Sequence, residues 1–161
     1  MAIVFHKESR CFHLYNNEVS YIIRIMENEQ LEQLYYGKKI HDREDFTYLH
    51  EECMSSQMSV CVPEPGILSM QYTKQEFPTY GTGDYRSPAL TIVQENGSRI
   101  VNFTYASHEI YSGKKDILPL PATYVENEDE AQTLEVTLHD AVMDTDLILS
   151  YTIYEEYPVI T

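Results

Sequence analysis

Two neighbouring stretches, LEVTLH at residues 134–139 and LILSYTIY at residues 147–154, decide the fold class of this sequence. In the first, three apolar residues alternate with Glu, Thr and His, which is the period of a strand with one buried face. In the second, apolar residues such as Ile148 and Tyr154 also occupy the alternate positions. We therefore expect a strand with both faces covered there, and an all-β chain.

Similar short runs occur through most of the chain. The dipeptide Asn96-Gly97 tolerates the positive φ angles of a tight turn, so it predicts a hairpin between residues 89–95 and 98–111. Residues 22–26 are apolar at nearly every position, as expected for a central strand. The remaining predicted strands are residues 3–5, 11–15, 20–26 and 33–36, with short helical stretches at 28–32 and 44–52. About eight to ten short strands fit a sandwich.

Composition narrows the function classes. The chain has 161 residues, about one domain, and 26 acidic against 11 basic residues give it a formal charge of −15. That charge repels phosphate backbones, so we expect neither a nucleic-acid nor a membrane partner. Hydrophobic residues at 43% argue against disorder, and 14 tyrosines favour half-buried strands.

Several kinds of site and location lack a sequence signal. No apolar run approaches the ~20 residues of a membrane span. The first eight residues do not resemble a signal peptide, and three cysteines without a CxxC pair suggest a reducing cytoplasm. Six histidines form no HxH or HExxH pair, so we expect no metal and no other cofactor. No GxSxG motif points to a nucleophilic serine.

The densest local motif is YGTGDYRSPA at residues 80–89. Gly81 and Gly83 supply GxG, but a third glycine and the lysine of a phosphate-binding loop are missing. We therefore interpret these residues as a structural turn, in which Asp84 pairs with Arg86. A planar guanidinium can bridge loop carbonyls and a carboxylate at once.

Residues 41–65 form a polar, irregular segment longer than most structureless loops in a compact domain. Such a segment is functional or disordered, or it contains elements that the pattern does not reveal.

The motif at 80–89 resembles the signature of the N-terminal domain in bacterial family 36 glycoside hydrolases, the α-galactosidases. Further pieces follow in the same order as in that family, and together they span essentially the whole chain. These pieces are residues 36–38 (YGK), 95–98 (ENGS), 107–114 (SHEIYSGK), 120–125 (LPATYV), 132–136 (QTLEV) and 157–161 (YPVIT).

The resemblance implies a β-supersandwich, two packed and mainly antiparallel sheets, that precedes a catalytic (β/α)-barrel. The barrel carries the nucleophilic and the acid/base aspartates that hydrolyse terminal α-galactosides, such as melibiose and raffinose, with retention. On this view residues 1–161 are a single domain excised from a larger, cytoplasmic, tetrameric enzyme, and no residue of the chain is catalytic.

One functional role is expected to remain in the chain. Loops of the family's N-terminal sandwich reach the active-site entrance of a neighbouring subunit. The matching candidate is the irregular loop at residues 41–58, in which Phe46, Tyr48, His50 and Glu51 could contact a sugar across subunits. The alternatives are a solvent loop that orders only at a subunit interface, an autonomous carbohydrate-binding module, and a pure oligomerisation platform.

Overall fold

The computed structural model of the chain describes residues 1–51, 70, 72–81, 83–116, 119 and 123–161. In these residues the regular structure is almost entirely β, with seven strands and two 3-10 helices. The strands are β1 (Ala2–His6), β2 (Cys11–Tyr15), β3 (Val19–Ile25), β4 (Leu31–Lys38), β5 (Thr104–Ser112), β6 (Ala131–Asp140) and β7 (Thr145–Tyr154). The 3-10 helices cover Thr47–Leu49 and Glu128–Glu130. No helix in this described part is long and apolar enough to cross a membrane.

The strands form two antiparallel sheets, with the orders β1-β2-β3-β4 and β5-β6-β7. This arrangement confirms the predicted all-β sandwich. The strand count is lower than expected, with seven strands in the described residues instead of eight to ten. β3 is the interior strand predicted from residues 22–26, and all seven of its residues are buried.

The main core lies between the two sheets. On β6 the alternating residues Leu134, Val136 and Leu138 face it, as the sequence pattern predicts, and side chains of β1 to β4 such as Phe12 and Ile23 pack against them. Burial of each such side chain contributes about 1.5–3 kcal/mol. The two sheets are therefore held together mainly by apolar contact.

The prediction of a long hairpin over residues 89–111 is wrong outside its turn. Gly97 has φ +81°, and the amide of Gln94 donates to the carbonyl of Ser98 at 2.9 Å, as in a tight turn. No strand follows until Thr104. The intervening amides are used elsewhere: Val101 donates to the carbonyl of Tyr80, and Asn102 donates to a carboxylate on β6. Amides that are used in these hydrogen bonds are not available to pair with a neighbouring strand.

The two predicted helical stretches are also corrected. Residues 26–30 form the tight turn between β3 and β4, in which Glu29 has φ +65° and the amide of Met26 donates to the carbonyl of Gln30, and residues 31–32 already belong to β4. Residues 44–51 contain a single 3-10 turn. Of the long segment 41–65, residues 52–65 lie outside the described part of the chain.

Candidate functional site

Residues 39–51, here called the strap, cross the outer face of the first sheet, the face turned away from the main core. Their one 3-10 turn begins where Asp45 accepts hydrogen bonds from the amide and hydroxyl of Thr47. The strap replaces solvent on a sheet face that would otherwise be open. Because it carries four of the residues singled out from sequence, it is the candidate functional segment.

An aromatic side chain anchors the strap. Phe46 is fully buried in a second hydrophobic cluster with Cys11, Ile22 and Leu34 of β2, β3 and β4. Its ring also lies 5.0 Å from that of His13, edge-on. Burial raises the pKa of the Cys11 thiol beneath it, so that thiol is kept protonated and unreactive.

Two histidines meet one carboxylate under the strap. His6 Nε2 and His13 Nδ1 lie 2.8 and 2.7 Å from the same oxygen, Oδ1 of Asp42. Both rings are buried, whereas a third of the Asp42 side chain is exposed. The other nitrogen of His13 lies 3.0 Å from Ser20 Oγ, which in turn accepts the amide proton of Ile40.

The electrostatics of this group follow from burial and pairing. Burial lowers the pKa of His13, and the hydrogen bond to Asp42 opposes that shift only in part. Burial acts to raise the pKa of Asp42, but its hydrogen bonds with His13 and His6 outweigh burial and lower the pKa. A neutral imidazole beside an ionised carboxylate follows from these directions.

A second polar group fixes the far end of the strap. Glu32 of β4 is almost fully buried and receives Arg24 through Nε at 3.0 Å and through the terminal nitrogen Nη2 at 2.8 Å. Its other oxygen lies 2.6 Å from Nδ1 of His50 in the strap. A buried carboxylate needs partners of this kind.

The structure separates the four predicted substrate-contact residues. Phe46 is buried in the second hydrophobic cluster, and His50 is hydrogen-bonded to Glu32. Glu51 is exposed and pairs with Lys74. Tyr48 presents most of its side chain to solvent, at 61% exposure, with the guanidinium of Arg43 5.9 Å from its ring centre. Of the four, Tyr48 has the form of a stacking platform.

The predicted turn motif adopts a compact arrangement. Gly81 and Gly83 have φ +111° and +86°, the left-handed region that favours glycine. Asp84 is buried and accepts Nε and Nη2 of Arg86, which also donates to the carbonyls of Met70 and Thr73. Burial acts to raise the pKa of Asp84, but the bonds from Arg86 hold it below its ordinary value.

An open groove of about 340 Å³ lies beside the ends of β3 and β7. Tyr21, Tyr36 and Tyr151 contribute rings to it, and Tyr36 is 57% exposed. The hydroxyls of Tyr21 and Tyr151 both donate to Glu76. Burial, followed by the charge of Glu76, raises the pKa of both tyrosines.

Sequence reasoning missed the meeting of His6, His13 and Asp42. The two histidines are seven residues apart, a spacing that matches no metal or catalytic motif. The hairpin register brings them together, since His6 pairs with Cys11 and His13 is two residues further along the same face. The predicted strands at 3–5 and 11–15 could have revealed this pair, but nothing local to Asp42 indicates that it joins them.

Comparison with known proteins supplies the family. The model of the glycosyl hydrolase family 36 N-terminal domain matches residues 29–161. Alpha-galactosidase AgaA of Geobacillus stearothermophilus is 36% identical over 166 aligned residues, which cover 100% of this chain and 22% of that enzyme. Alpha-galactosidase Mel36A of Lactobacillus acidophilus is 32% identical, over 98% of this chain and 22% of that enzyme.

Solved structures agree with these sequence matches. The family 36 α-galactosidase AgaB of Geobacillus stearothermophilus has a TM-score of 0.89 at 36% identity, over 99% of this chain and 21% of its own. The α-galactosidase of Lactobacillus brevis has a TM-score of 0.91 at 33% identity, over 98% and 21%. The chain thus spans about a fifth of the length of these relatives. It belongs to the glycosyl hydrolase family 36 N-terminal domain family.

Proposed function

We propose that the chain is the non-catalytic N-terminal domain of an α-galactosidase that hydrolyses terminal α-galactosides, such as melibiose and raffinose, with retention. The observation that carries this proposal is the 36% identity to AgaA over the whole chain, which corresponds to only 22% of that enzyme. Structures of AgaA variants in complex with raffinose and with stachyose support the substrate class. The catalytic pair belongs to the remaining part of the enzyme.

The carboxylates of the chain support a non-catalytic role. Glycoside hydrolysis needs two carboxyl groups that flank the scissile bond, one of them free to transfer a proton. In the described residues, the buried acidic side chains are Glu32, Asp84 and Asp140. The first two are paired with arginines, and Asp140 accepts three backbone amides. Groups held in this way stabilise the fold and offer no free acid or base.

The test compares the 161-residue chain with the complete coding sequence that contains it. Purified full-length protein should release p-nitrophenol from p-nitrophenyl α-galactoside, and nuclear magnetic resonance should show α-galactose as the first product. The 161-residue chain alone should show no turnover. An inactive full-length protein, or robust turnover by the chain, would overturn the proposal.

The domain's second proposed role is to build a tetramer and the rim of a neighbouring subunit's active site. Tyr48 supports this role because it is exposed on a strap that is otherwise fixed by Phe46, Asp42 and His50. A fixed segment with one exposed aromatic ring can stack on a sugar at low entropic cost. The enzyme that contains it is expected in the cytoplasm.

Tyr48→Ala in the full-length protein tests the rim. Stacking worth about 0.5–1.5 kcal/mol predicts a KM for raffinose raised roughly 2- to 10-fold. The matched control is Tyr124→Ala, because Tyr124 is also exposed, at 77%, but lies in the connection between β5 and β6. Equal KM and kcat in both variants would exclude the rim role of Tyr48. His50 is a poorer probe, since its removal takes a partner from buried Glu32.

The tyrosine-lined groove favours a second candidate function, an autonomous carbohydrate-binding module. Its volume of about 340 Å³ can hold a monosaccharide, and Gln33 and Ser150 add polar groups beside the rings of Tyr36 and Tyr151. Calorimetry of the 161-residue chain with galactose and raffinose decides this point. Millimolar or tighter binding that Tyr36→Ala abolishes would favour the module, and an absence of heat would exclude it.

A further inference from the structure

The outer face of the first sheet holds a donor set that the glycosidase function does not use. His6 and His13 project from β1 and β2 on the same face, as the register His6↔Cys11 requires. Asp42 approaches them from the strap. His6 Nε2, His13 Nδ1 and Asp42 Oδ1 all lie within 4.8 Å of one another. Two imidazole nitrogens and one carboxylate oxygen are the ligands that zinc and similar ions take in three-residue protein sites.

We propose that His6, His13 and Asp42 form a binding site for a divalent transition-metal ion, zinc in the first place, that ties the strap to the β1-β2 hairpin. This inference is independent of the proposed galactosidase activity, because its site and its test involve only the chain itself.

The groups around the three ligands match the surroundings of metal-bound histidines. Such histidines donate their second ring N–H to a carboxylate or another acceptor, which fixes the ring. His13 Nε2 lies 3.0 Å from Ser20 Oγ, within hydrogen-bond distance, and His6 Nδ1 faces a carboxylate oxygen of the exposed Glu44 at 3.6 Å, beyond that distance. The ring of Phe46 packs against both imidazoles and keeps them in place. Both histidines are therefore oriented before any ion binds.

Binding requires small movements of the ligand atoms. At Zn–N and Zn–O bonds of about 2.0–2.1 Å and tetrahedral angles, ligand atoms stand roughly 3.3 Å apart. The spacings of 2.7 and 2.8 Å from Asp42 Oδ1 to the two nitrogens are those of hydrogen bonds. Asp42 must withdraw by about half an ångström, which an irregular and partly exposed segment permits. The nitrogens of the two buried histidines lie within 4.8 Å of each other, and a tetrahedral ion must hold them at the same spacing of roughly 3.3 Å.

The proton balance is also defined. In the metal-free state each ring donates an N–H to Asp42 through the nitrogen nearer to it. Metal coordination takes the lone pair of that nitrogen, so each ring carries its proton on the other nitrogen, facing Ser20 or Glu44. A ring that is neutral before binding therefore moves its proton from one nitrogen to the other, and a ring that carries both protons releases one. The fourth position of the ion is filled by water, on the exposed side of Asp42.

Isothermal calorimetry of the metal-free chain with zinc chloride tests the site. We expect one ion per chain, and a cobalt(II)-loaded sample with visible absorption bands of the intensity typical of tetrahedral N/O sites. In His6→Gln the affinity should fall at least tenfold, and the cobalt bands should disappear. The matched control is His139→Gln, which removes an exposed histidine that lies 2.8 Å from Asp146 and should leave binding unchanged.

If His6→Gln unfolds, Asp42→Asn and the ¹⁵N shifts of the two histidine rings test the same site. Asp42→Asn changes a partly exposed side chain, and it should weaken zinc binding while the chain stays folded. In the unaltered chain, zinc should move the proton of both rings, as read from the ¹⁵N shifts of His6 and His13. Zinc binding that His139→Gln abolishes, or ring ¹⁵N shifts that do not respond to zinc, would show that these three residues form only a hydrogen-bonded latch.

Discussion

Phe46 is the residue through which the strap's contribution to stability can be measured. Its side chain is fully buried against β2, β3 and β4, with the strap backbone above it. Transferring a phenylalanine side chain back to water costs about 1.5–3 kcal/mol, and the cavity left by Phe→Ala raises the usual total to about 3–5 kcal/mol. A strap can settle into part of that cavity, so we expect Phe46→Ala to lower the free energy of unfolding by about 3 kcal/mol.

Urea denaturation followed by far-ultraviolet circular dichroism measures this loss. The chain has 14 tyrosines and no tryptophan, so tyrosine fluorescence is the second probe. With an m-value of about 2 kcal/mol per molar urea, the midpoint should fall by about 1.5 M. Tyr48→Ala is the control, because a side chain that is 61% exposed two residues further on should change stability by no more than about 0.5 kcal/mol.

A local signal separates loss of the strap from loss of the whole fold. In Phe46→Ala the amide of Leu49, which donates to the carbonyl of residue 46 at 3.0 Å, should exchange faster. Cys11, buried directly beneath the ring, should become reactive to a thiol reagent, as read on its own peptide by mass spectrometry. A midpoint shift below about 0.5 M together with an unreactive Cys11 would refute the packing described here.

Three further predictions concern other parts of the sandwich. Asp84→Asn should lower the free energy of unfolding by about 2 kcal/mol at neutral pH, the value of hydrogen bonds to a charged group. Because the pKa of Asp84 is lowered in the folded state, its stabilisation should be full above about pH 4 and should vanish as the pH falls through the folded pKa. Acid titrations of the unaltered chain and of Asp84→Asn should show this difference. Gly81→Ala should lower the melting temperature more than Gly97→Ala, although φ is positive at both positions. A Cβ added at Gly81 would meet the side chain of Ile100 at 2.5 Å, whereas a Cβ added at Gly97 would meet nothing within 4 Å. Tyr21 and Tyr151 have raised pKa values in the folded chain, so their stabilising effect should be full below about pH 10 and be lost as the pH rises above it. Absorbance at 295 nm should show both hydroxyls ionising only as the chain unfolds.

The strands were predictable from sequence because the alternation of apolar and polar residues within a strand shows which of its faces is buried. Leu134 and Leu138 alternate with polar residues and do lie on the inner face of β6. The apolar run at 22–26 indicated an interior strand, and β3 is buried at every position. The hairpin around Gly97 failed because its arms bond to distant groups, such as the carboxylate of Asp140, which a local pattern cannot show.

The candidate site was predictable only as a segment. The length and polarity of residues 41–65 marked it as unusual, but its position on the sheet depends on pairings across 18 to 36 residues of sequence, such as His6 with Asp42 and Glu32 with His50. In sequence, His6, His13 and Glu32 resemble ordinary polar positions on a solvated strand face. Their burial follows from the strap, which the strand pattern does not contain.

Apolar contacts stabilise the strap on the sheet, and polar contacts fix its position along the sheet. Phe46 is the strap residue fully buried in the second apolar cluster, but an apolar cluster alone tolerates sliding, since hydrophobic contact has no direction. Asp42 and His50 remove that freedom, because each meets a particular buried partner on β1, β2 or β4 and would lose that hydrogen bond after a shift of one residue. A strap specified at both ends cannot swing out to a neighbouring subunit without giving up all of these contacts. Of the four strap residues singled out from sequence, Tyr48 and Glu51 are exposed, and Glu51 pairs with Lys74, so the proposed contact with a neighbour's substrate is assigned to Tyr48.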